Sequence, residues 1–140
     1  MDKASYIDAI KGDIVMIYTS YFAKLKSLPK HIVPISIAAK TPEWFNGPVY
    51  GTLAPSYDIL MKYKRDGDEK SYIRKYGEHL GYLSPARVVA ELAALAPGKD
   101  ICLVCYEKPS SFCHRKIVAT WLSRYGYECK EWEELNNGTA

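Results

Sequence analysis

The residues best suited to chemistry lie together in one stretch, residues 105–115, which reads Cys-Tyr-Glu-Lys-Pro-Ser-Ser-Phe-Cys-His-Arg. It brings two thiols, a carboxylate, an ammonium, an imidazole and a guanidinium within eleven positions. Thiols and imidazoles serve as nucleophiles and general bases, and a guanidinium can grip two oxygens of an anion. We therefore take this segment as the candidate site, for catalysis or for ligand binding.

The position of the segment favours an anionic ligand. It follows a buried strand and opens a helix, whose first N–H groups are unpaired and electropositive. Cationic side chains at a helix start cost about 0.3–1 kcal/mol each unless an anion is bound there. Arg115 and Lys108 are the predicted ligand-binding cations, with Cys105 beside them. In the alternative, Arg115 and Lys116 extend outward into solvent or pair with Glu107 or Glu131.

The candidate catalytic residues are Cys113, His114 and Glu107. A thiol at a helix start beside basic groups has a lowered pKa and is more nucleophilic. His114 could act as its base or as a proton donor, and Glu107 could orient His114 or act as a base itself. The alternative for Cys113 is a small buried apolar residue.

A four-ligand zinc cluster is not predicted. Cys102 and Cys105 are three residues apart on a strand, so their side chains point to opposite faces, whereas a zinc knuckle needs a turn. A smaller site of Cys105, Cys113 and His114, or a redox pair of the two thiols, stays open as an alternative. We assign no metal, and the sequence names no cofactor.

The elements that position the segment predict an α/β fold. Apolar, β-branched runs indicate strands, and apolar residues at helical spacing separate them. Such alternation predicts a single domain over residues 1–140, with a mainly parallel sheet of about four to five strands and helices on both faces, a Rossmann-like three-layer arrangement. Residues 136–140 are expected to fray. Ligands of such sheets bind beyond the carboxyl ends of the strands.

The predicted strands are Asp13–Tyr18, His31–Ile37, Asp100–Tyr106 and Tyr127–Trp132. Helices are expected over Tyr21–Leu28, from Ser56, around Tyr72–Leu83, from Ser84-Pro85 and from Pro109–Ser111.

A long aromatic loop is a second candidate for ligand contact. Residues 41–57 contain three prolines and two glycines together with four aromatic side chains. Long ordered loops are often functional, and Trp44 and Tyr50 are predicted to cover a ligand or stack on it. The alternative is a flap whose aromatic residues cover the core.

The composition limits the class of protein. The chain has 140 residues, is 48% hydrophobic and carries a net charge of +3, which allows one well-packed domain and is too weak to indicate a nucleic-acid binder. The amino terminus has no apolar signal segment, and no run is long enough to span a membrane. We therefore expect a cytoplasmic protein with reduced thiols. The oligomeric state is not predicted.

The pattern Cys-x-Glu-Lys followed by Cys-His-Arg, at residues 105–115, resembles the signature of the domain of unknown function 488 family. Residues 53–60 and 72–80 are similar to one branch of it. The resemblance implies a small α/β fold with these residues as the polar signature, and it implies no particular activity. Many members have Gly-His-Ser after the first strand and Asp-x-Arg after the second. This chain has Tyr18-Thr-Ser-Tyr21 and Ile35-Ser-Ile-Ala38 there, which allows binding without catalysis.

Three hypotheses follow. The first is a pocket for a nucleotide or another phosphate-bearing small molecule, with Cys/His-assisted catalysis. The second is a nucleic-acid-binding module that uses a basic helical face with interleaved tyrosines. The third is a protein-binding domain without chemistry, which makes contact through the aromatic loop. The basic face of the second hypothesis consists of Lys62, Lys64, Arg65, Lys70, Arg74 and Lys75, with Tyr63 and Tyr72 between them.

Overall fold

A four-stranded, all-parallel sheet forms the centre of the molecule, in the strand order β2-β3-β1-β4. The computed structural model describes residues 16–106 and 112–133. Every residue of β3 is buried, and β3 lies between β2 and β1, as its continuous apolar run predicts. The predicted α/β, single-domain fold with a parallel sheet is therefore confirmed. The strands are β1 (Ile17–Tyr21), β2 (Ile32–Ser36), β3 (Asp100–Cys105) and β4 (Cys129–Glu131).

In the described part of the chain, four α-helices follow the pattern of caps and apolar spacing in the sequence. Ser56 and Ser84 accept hydrogen bonds from backbone N–H groups three residues ahead, and Pro85 occupies the first helical position. Gly67 ends the first helix with a φ of 65°, a conformation that favours glycine. The helices are α1 (Tyr57–Asp66), α2 (Glu69–Gly81), α3 (Pro85–Leu95) and α4 (His114–Arg124).

The two faces of the sheet are covered by different elements. One face packs against residues of all four α-helices and forms the larger apolar core. On the other face, a 3₁₀ helix (Phe22–Ser27) and Phe45 of the aromatic loop pack over a smaller core that includes Cys102 and Val104. None of the helices in the described part of the chain is long and apolar enough to cross a membrane.

Several bounds differ from the sequence prediction, and β2, β3 and β4 are each shorter than predicted. β1 runs from Ile17 to Tyr21, further along the chain than Asp13–Tyr18, and residues 13–15 lie outside the described residues, as do 136–140. The helix expected over Tyr21–Leu28 is a 3₁₀ helix. α4 begins at His114, later than Pro109–Ser111, because Cys113 is extended, with φ −153° and ψ 143°.

Pro34 lies in β2, at the edge of the sheet. An edge strand tolerates a residue that has no N–H to donate.

Candidate functional site

A pocket of about 320 Å³ opens beyond the carboxyl ends of β2 and β3. Ala38 and Lys40, which follow β2, form part of its wall, and Tyr106 follows β3 at its rim. The pocket thus lies where open parallel sheets bind their ligands. Cys105, Cys113 and His114 of the predicted segment all line it.

The thiols and the imidazole converge at this wall. The Sγ atoms of Cys105 and Cys113 are joined as a disulfide in this structure. The Nδ1 atom of His114 lies 3.9 Å from the Sγ of Cys113. All three donor atoms lie within 4.8 Å of one another, and all three residues are buried. One strand and one helix bring these residues together. Cys105 ends β3, Cys113 is the N-cap residue of α4, and His114 is the first residue of that helix.

The His114 ring has a fixed position and a defined face toward the thiols. Its Nε2 lies 2.7 Å from the backbone carbonyl of Ile37, so Nε2 carries the proton and donates it. The ring of Tyr76 meets the imidazole edge-to-face, with the centroids 5.5 Å apart. Burial lowers the pKa of His114 to about 4, although the hydrogen bond to the Ile37 carbonyl acts in the opposite direction and raises the pKa. His114 is therefore neutral near pH 7, with the lone pair of Nδ1 on the side of the sulfur atoms.

Arg115 lies behind the pocket wall and is fully buried. Its Nε and Nη2 donate to the two carboxylate oxygens of Glu131 at 3.0 and 3.1 Å, which is a bidentate pair. Thr19 donates to the same carboxylate at 2.8 Å. The third donor, Nη1, lies 3.2 Å from the Sγ of Cys105. The structure therefore has Arg115 paired with Glu131, which was the alternative to ligand binding. The same guanidinium also donates a hydrogen bond to Cys105.

Aromatic rings and lysines complete the pocket. Phe112 contacts Tyr63 and Tyr72, with ring centroids 5.1 and 4.9 Å apart, and the three side chains form one wall. Lys40 and Lys64 supply cations. Among the described residues that line the pocket, none carries a carboxylate.

The other predicted site residues lie elsewhere or outside the description. Trp44 is 61% exposed and packs on Phe22 and Phe45 on the opposite side of the sheet. Tyr50 is buried and donates a hydrogen bond to Glu91. Neither residue lines the pocket of Cys105 and Cys113. Glu107 and Lys108 lie outside the described residues.

The remaining two cysteines are separated from the site. Cys102 belongs to the smaller core, on the face opposite to Cys105, as their spacing predicts. Burial raises the pKa of the Cys102 thiol, and burial raises the pKa of Cys129 to about 12. Both thiols are therefore protonated and inert near neutral pH.

The basic face of α1 and α2 is partly neutralised by its own acids. Lys62 pairs with Asp66 at 2.7 Å and approaches Asp68 at 3.9 Å, and Arg74 pairs with Glu78 at 3.4 Å. Tyr63 and Tyr72 turn toward Phe112 and the pocket instead of lying between the cations.

Sequence reasoning missed the contribution of β2 and α1 to the pocket. Ligands bind beyond the carboxyl ends of parallel strands, and this rule applies to Ala38-Ala39-Lys40 after β2 as well as to the residues after β3. The position of Phe112, one residue before Cys113, was also a usable signal, because an aromatic residue beside a ligand-binding turn often forms part of its wall.

The fold and the site together define a parallel-sheet α/β domain with a Cys/His-lined pocket at the carboxyl edge of its sheet. A family model described as the "Active DUF488-N3 subclade" (DUF488-N3a) matches residues 27–126. The match covers more than half of the chain, so the chain belongs to the DUF488 family, and the resemblance noted in the sequence is confirmed. Searches of curated proteins and of solved structures gave no match.

Proposed function

We propose that the pocket binds an anionic small molecule that carries a flat ring, with a nucleotide as the best-fitting class. The observation that carries this proposal is the composition of the pocket wall. Two lysines, three adjacent aromatic rings and the first residue of α4 face one concave site, and its described lining holds no carboxylate.

The anionic part of the ligand is expected near Lys40 and Lys64. Lys40 extends from the turn after β2 and Lys64 from α1, so cations from two elements face the same volume. The start of α4, an eleven-residue helix without acidic residues in its first turn, adds to the positive potential. Because Glu131 neutralises Arg115, we expect no direct contact between Arg115 and the ligand.

The ring of the ligand is expected against Tyr63, Tyr72 and Phe112. These side chains hold one another edge-to-face or tilted, which leaves aromatic surface on the pocket wall. Stacking of a base on such a ring contributes about 1–3 kcal/mol. The volume of about 320 Å³ lies at the lower end of the range of small-molecule pockets, about 300–1,000 Å³. A mononucleotide fits this size better than a dinucleotide.

The groups that meet the bound ligand are those of the Cys105, Cys113 and His114 cluster. They form the wall nearest to the start of α4, and they supply the sulfur atoms and the imidazole of the described lining. The name of the matched subclade calls its members active. A site that places a ligand beside two cysteines and a neutral imidazole supports the same view for this chain.

The test is a thermal-shift titration with AMP, GMP, CMP, UMP and inorganic phosphate. Wild-type protein is compared with the double variant Lys40→Ala/Lys64→Ala. A matched control, Lys99→Ala, removes an exposed lysine at the opposite, amino-terminal end of β3. We expect at least one nucleotide to stabilise the wild type and the control, and the double variant to lose that shift. Equal shifts in all three proteins, or none in any, would refute the proposal.

A further inference from the structure

We propose that Cys105, Cys113 and His114 form a binding site for one zinc-class divalent ion, with three protein ligands and a fourth coordination position that opens into the pocket. The donor atoms are the two Sγ atoms and Nδ1 of the imidazole. This set combines thiolates with an imidazole, which are the ligands that zinc prefers.

The spacing of the donors suits a single ion. In a tetrahedral zinc site, with Zn–S near 2.3 Å and Zn–N near 2.0–2.1 Å, neighbouring ligand atoms lie about 3.4–3.8 Å apart. The Nδ1 of His114 lies 3.9 Å from the Sγ of Cys113, and all three donors fall within 4.8 Å of one another. The proposal concerns the reduced protein, in which the two sulfur atoms are no longer joined and can each ligate the ion.

The backbone positions favour an ion over a covalent link between the thiols. The Cα atoms of Cys105 and Cys113 are 7.6 Å apart. Disulfides usually join Cα atoms about 4.4–6.8 Å apart, and a wider pair needs backbone movement. An ion between the sulfur atoms lengthens the bridge and removes this mismatch.

The surroundings of the three ligands are those of a metal site. Ligating histidines usually donate their second ring N–H to a carbonyl or carboxylate, which fixes the tautomer and the ring orientation. His114 does so toward the carbonyl of Ile37 at 2.7 Å. Arg115 donates to the Sγ of Cys105 at 3.2 Å, and this hydrogen bond fixes the position of the sulfur atom. Glu131 holds Arg115 in place through both carboxylate oxygens.

Among the described residues, only these three donors come together here, and the position left open on the ion faces the pocket that they line. Zinc sites with three protein ligands and an open position are typically catalytic, whereas structural sites are closed by a fourth residue. An ion here would bind water or an anionic oxygen of the ligand. This last step rests on the proposed function, but metal binding itself does not need the ligand.

The experiment uses the full chain, reduced with a phosphine, stripped with a chelator and dialysed under argon. Zn²⁺ uptake is measured by competition with a chromophoric chelator, and Co²⁺ is added to parallel samples for absorption spectra. The variants are Cys105→Ser, Cys113→Ser and His114→Gln, with Cys102→Ala as a matched control on the opposite face of the sheet. Circular dichroism establishes that each variant is folded.

We expect wild type and Cys102→Ala to bind one equivalent of Zn²⁺ and to give a thiolate–Co²⁺ absorption band. Each of the three ligand variants should bind Zn²⁺ more than about 100-fold more weakly, since even changes beside metal ligands cost about 10–100-fold. In wild type, Zn²⁺ should also slow the alkylation of Cys105 and Cys113 without affecting Cys102 or Cys129. This readout needs no variant and therefore survives any folding defect.

Stoichiometric binding in the ligand variants, no uptake by reduced wild type, or alkylation unaffected by Zn²⁺ would overturn the metal site. The double variant Lys40→Ala/Lys64→Ala separates the two proposals. It should keep the zinc and lose the nucleotide if both proposals hold. Loss of zinc binding in the cysteine variants, with no nucleotide binding by any protein, would uphold the metal site and reject the proposed function.

Discussion

Arg115 donates a hydrogen bond from Nη1 to the Sγ of Cys105 across 3.2 Å, from a position that is fully buried. The same guanidinium uses its other two nitrogens on Glu131 in β4. One side chain therefore joins α4, β4 and the end of β3, and it directs positive charge at a thiol on the pocket wall. The arginine of the Cys-His-Arg motif is thus a positioning residue for the cysteine.

Replacing Glu131 with Gln should destabilise the fold strongly. Loss of one partner from a buried ion pair typically costs about 3–5 kcal/mol, and the partial exposure of Glu131 places the expected loss near the lower figure. Urea unfolding followed by fluorescence measures it. The control is Glu78→Gln, which removes an exposed partner of Arg74 and should cost less than about 1 kcal/mol. Equal losses in the two variants would contradict the buried role of the Arg115 pair.

The stability of metal-free, reduced protein should fall as the pH is lowered from about 6.5 toward 4, in part because of His114. Burial depresses its folded-state pKa to about 4, below the ordinary value of 6.5. Between these values the unfolded chain binds the proton and the folded chain does not, so acid favours unfolding. The stabilisation is complete above about 6.5.

From pH 7 to pH 5 this group should account for about 2 kcal/mol of lost stability, at 1.36 kcal/mol per pH unit. Urea unfolding at both pH values gives the loss. In His114→Gln the loss should shrink by that amount, whereas His31→Gln, at an exposed position, should behave as wild type. An unchanged pH dependence in His114→Gln would show that the imidazole titrates normally in the folded protein.

The four cysteines should react with iodoacetamide at clearly different rates in native, reduced, metal-free protein. Cys113 lines the pocket at the start of α4, so we expect it to label first. Cys102 and Cys129 are buried with raised pKa values and should label slowly. Peptide mass spectrometry over a time course measures this order. Uniformly slow labelling, or first labelling at Cys102, would argue against a reactive thiol at the pocket.

Two glycines in neighbouring helices should respond to alanine in opposite directions. Gly77 lies inside α2, where a Cβ would meet no atom within 4 Å, so Gly77→Ala should stabilise the protein by about 0.5–1 kcal/mol. Gly67 ends α1 with a φ of 65°, so Gly67→Ala should destabilise it by about 1 kcal/mol. Thermal unfolding of both variants tests this. A stabilising Gly67→Ala would show that the left-handed cap is not required.

The sequence predicts the local parts of this fold well. The apolar run from Asp100 identifies β3 because a strand buried on both faces needs apolar residues throughout. Ser84-Pro85 marks the start of α3 because the cap and the proline each satisfy a local requirement of a helix end. The edge position of Pro34 follows from the N–H that proline lacks.

The long-range parts of the site could not be derived in the same way. Lys40 belongs to the pocket because β2 pairs with β3, and strand order is a tertiary property that no local pattern encodes. Glu131 reaches Arg115 because β4 pairs with β1, so the sequence could offer that pair only as an alternative to ligand binding. The aromatic loop pointed to Trp44, yet its ring packs on Phe22 across the sheet from the main core.

The most direct test of the proposed function is a nucleotide titration of ¹⁵N-labelled protein, followed by amide chemical shifts. The probe is whichever of AMP, GMP, CMP and UMP gives the largest thermal shift, and GMP if none does. We predict saturable shifts that cluster at Ala38–Lys40, Tyr63-Lys64, Tyr106 and Phe112–His114. Shifts confined to the outer face of α1 and α2, or to the loop around Trp44, would contradict the account, as would a spectrum that does not change.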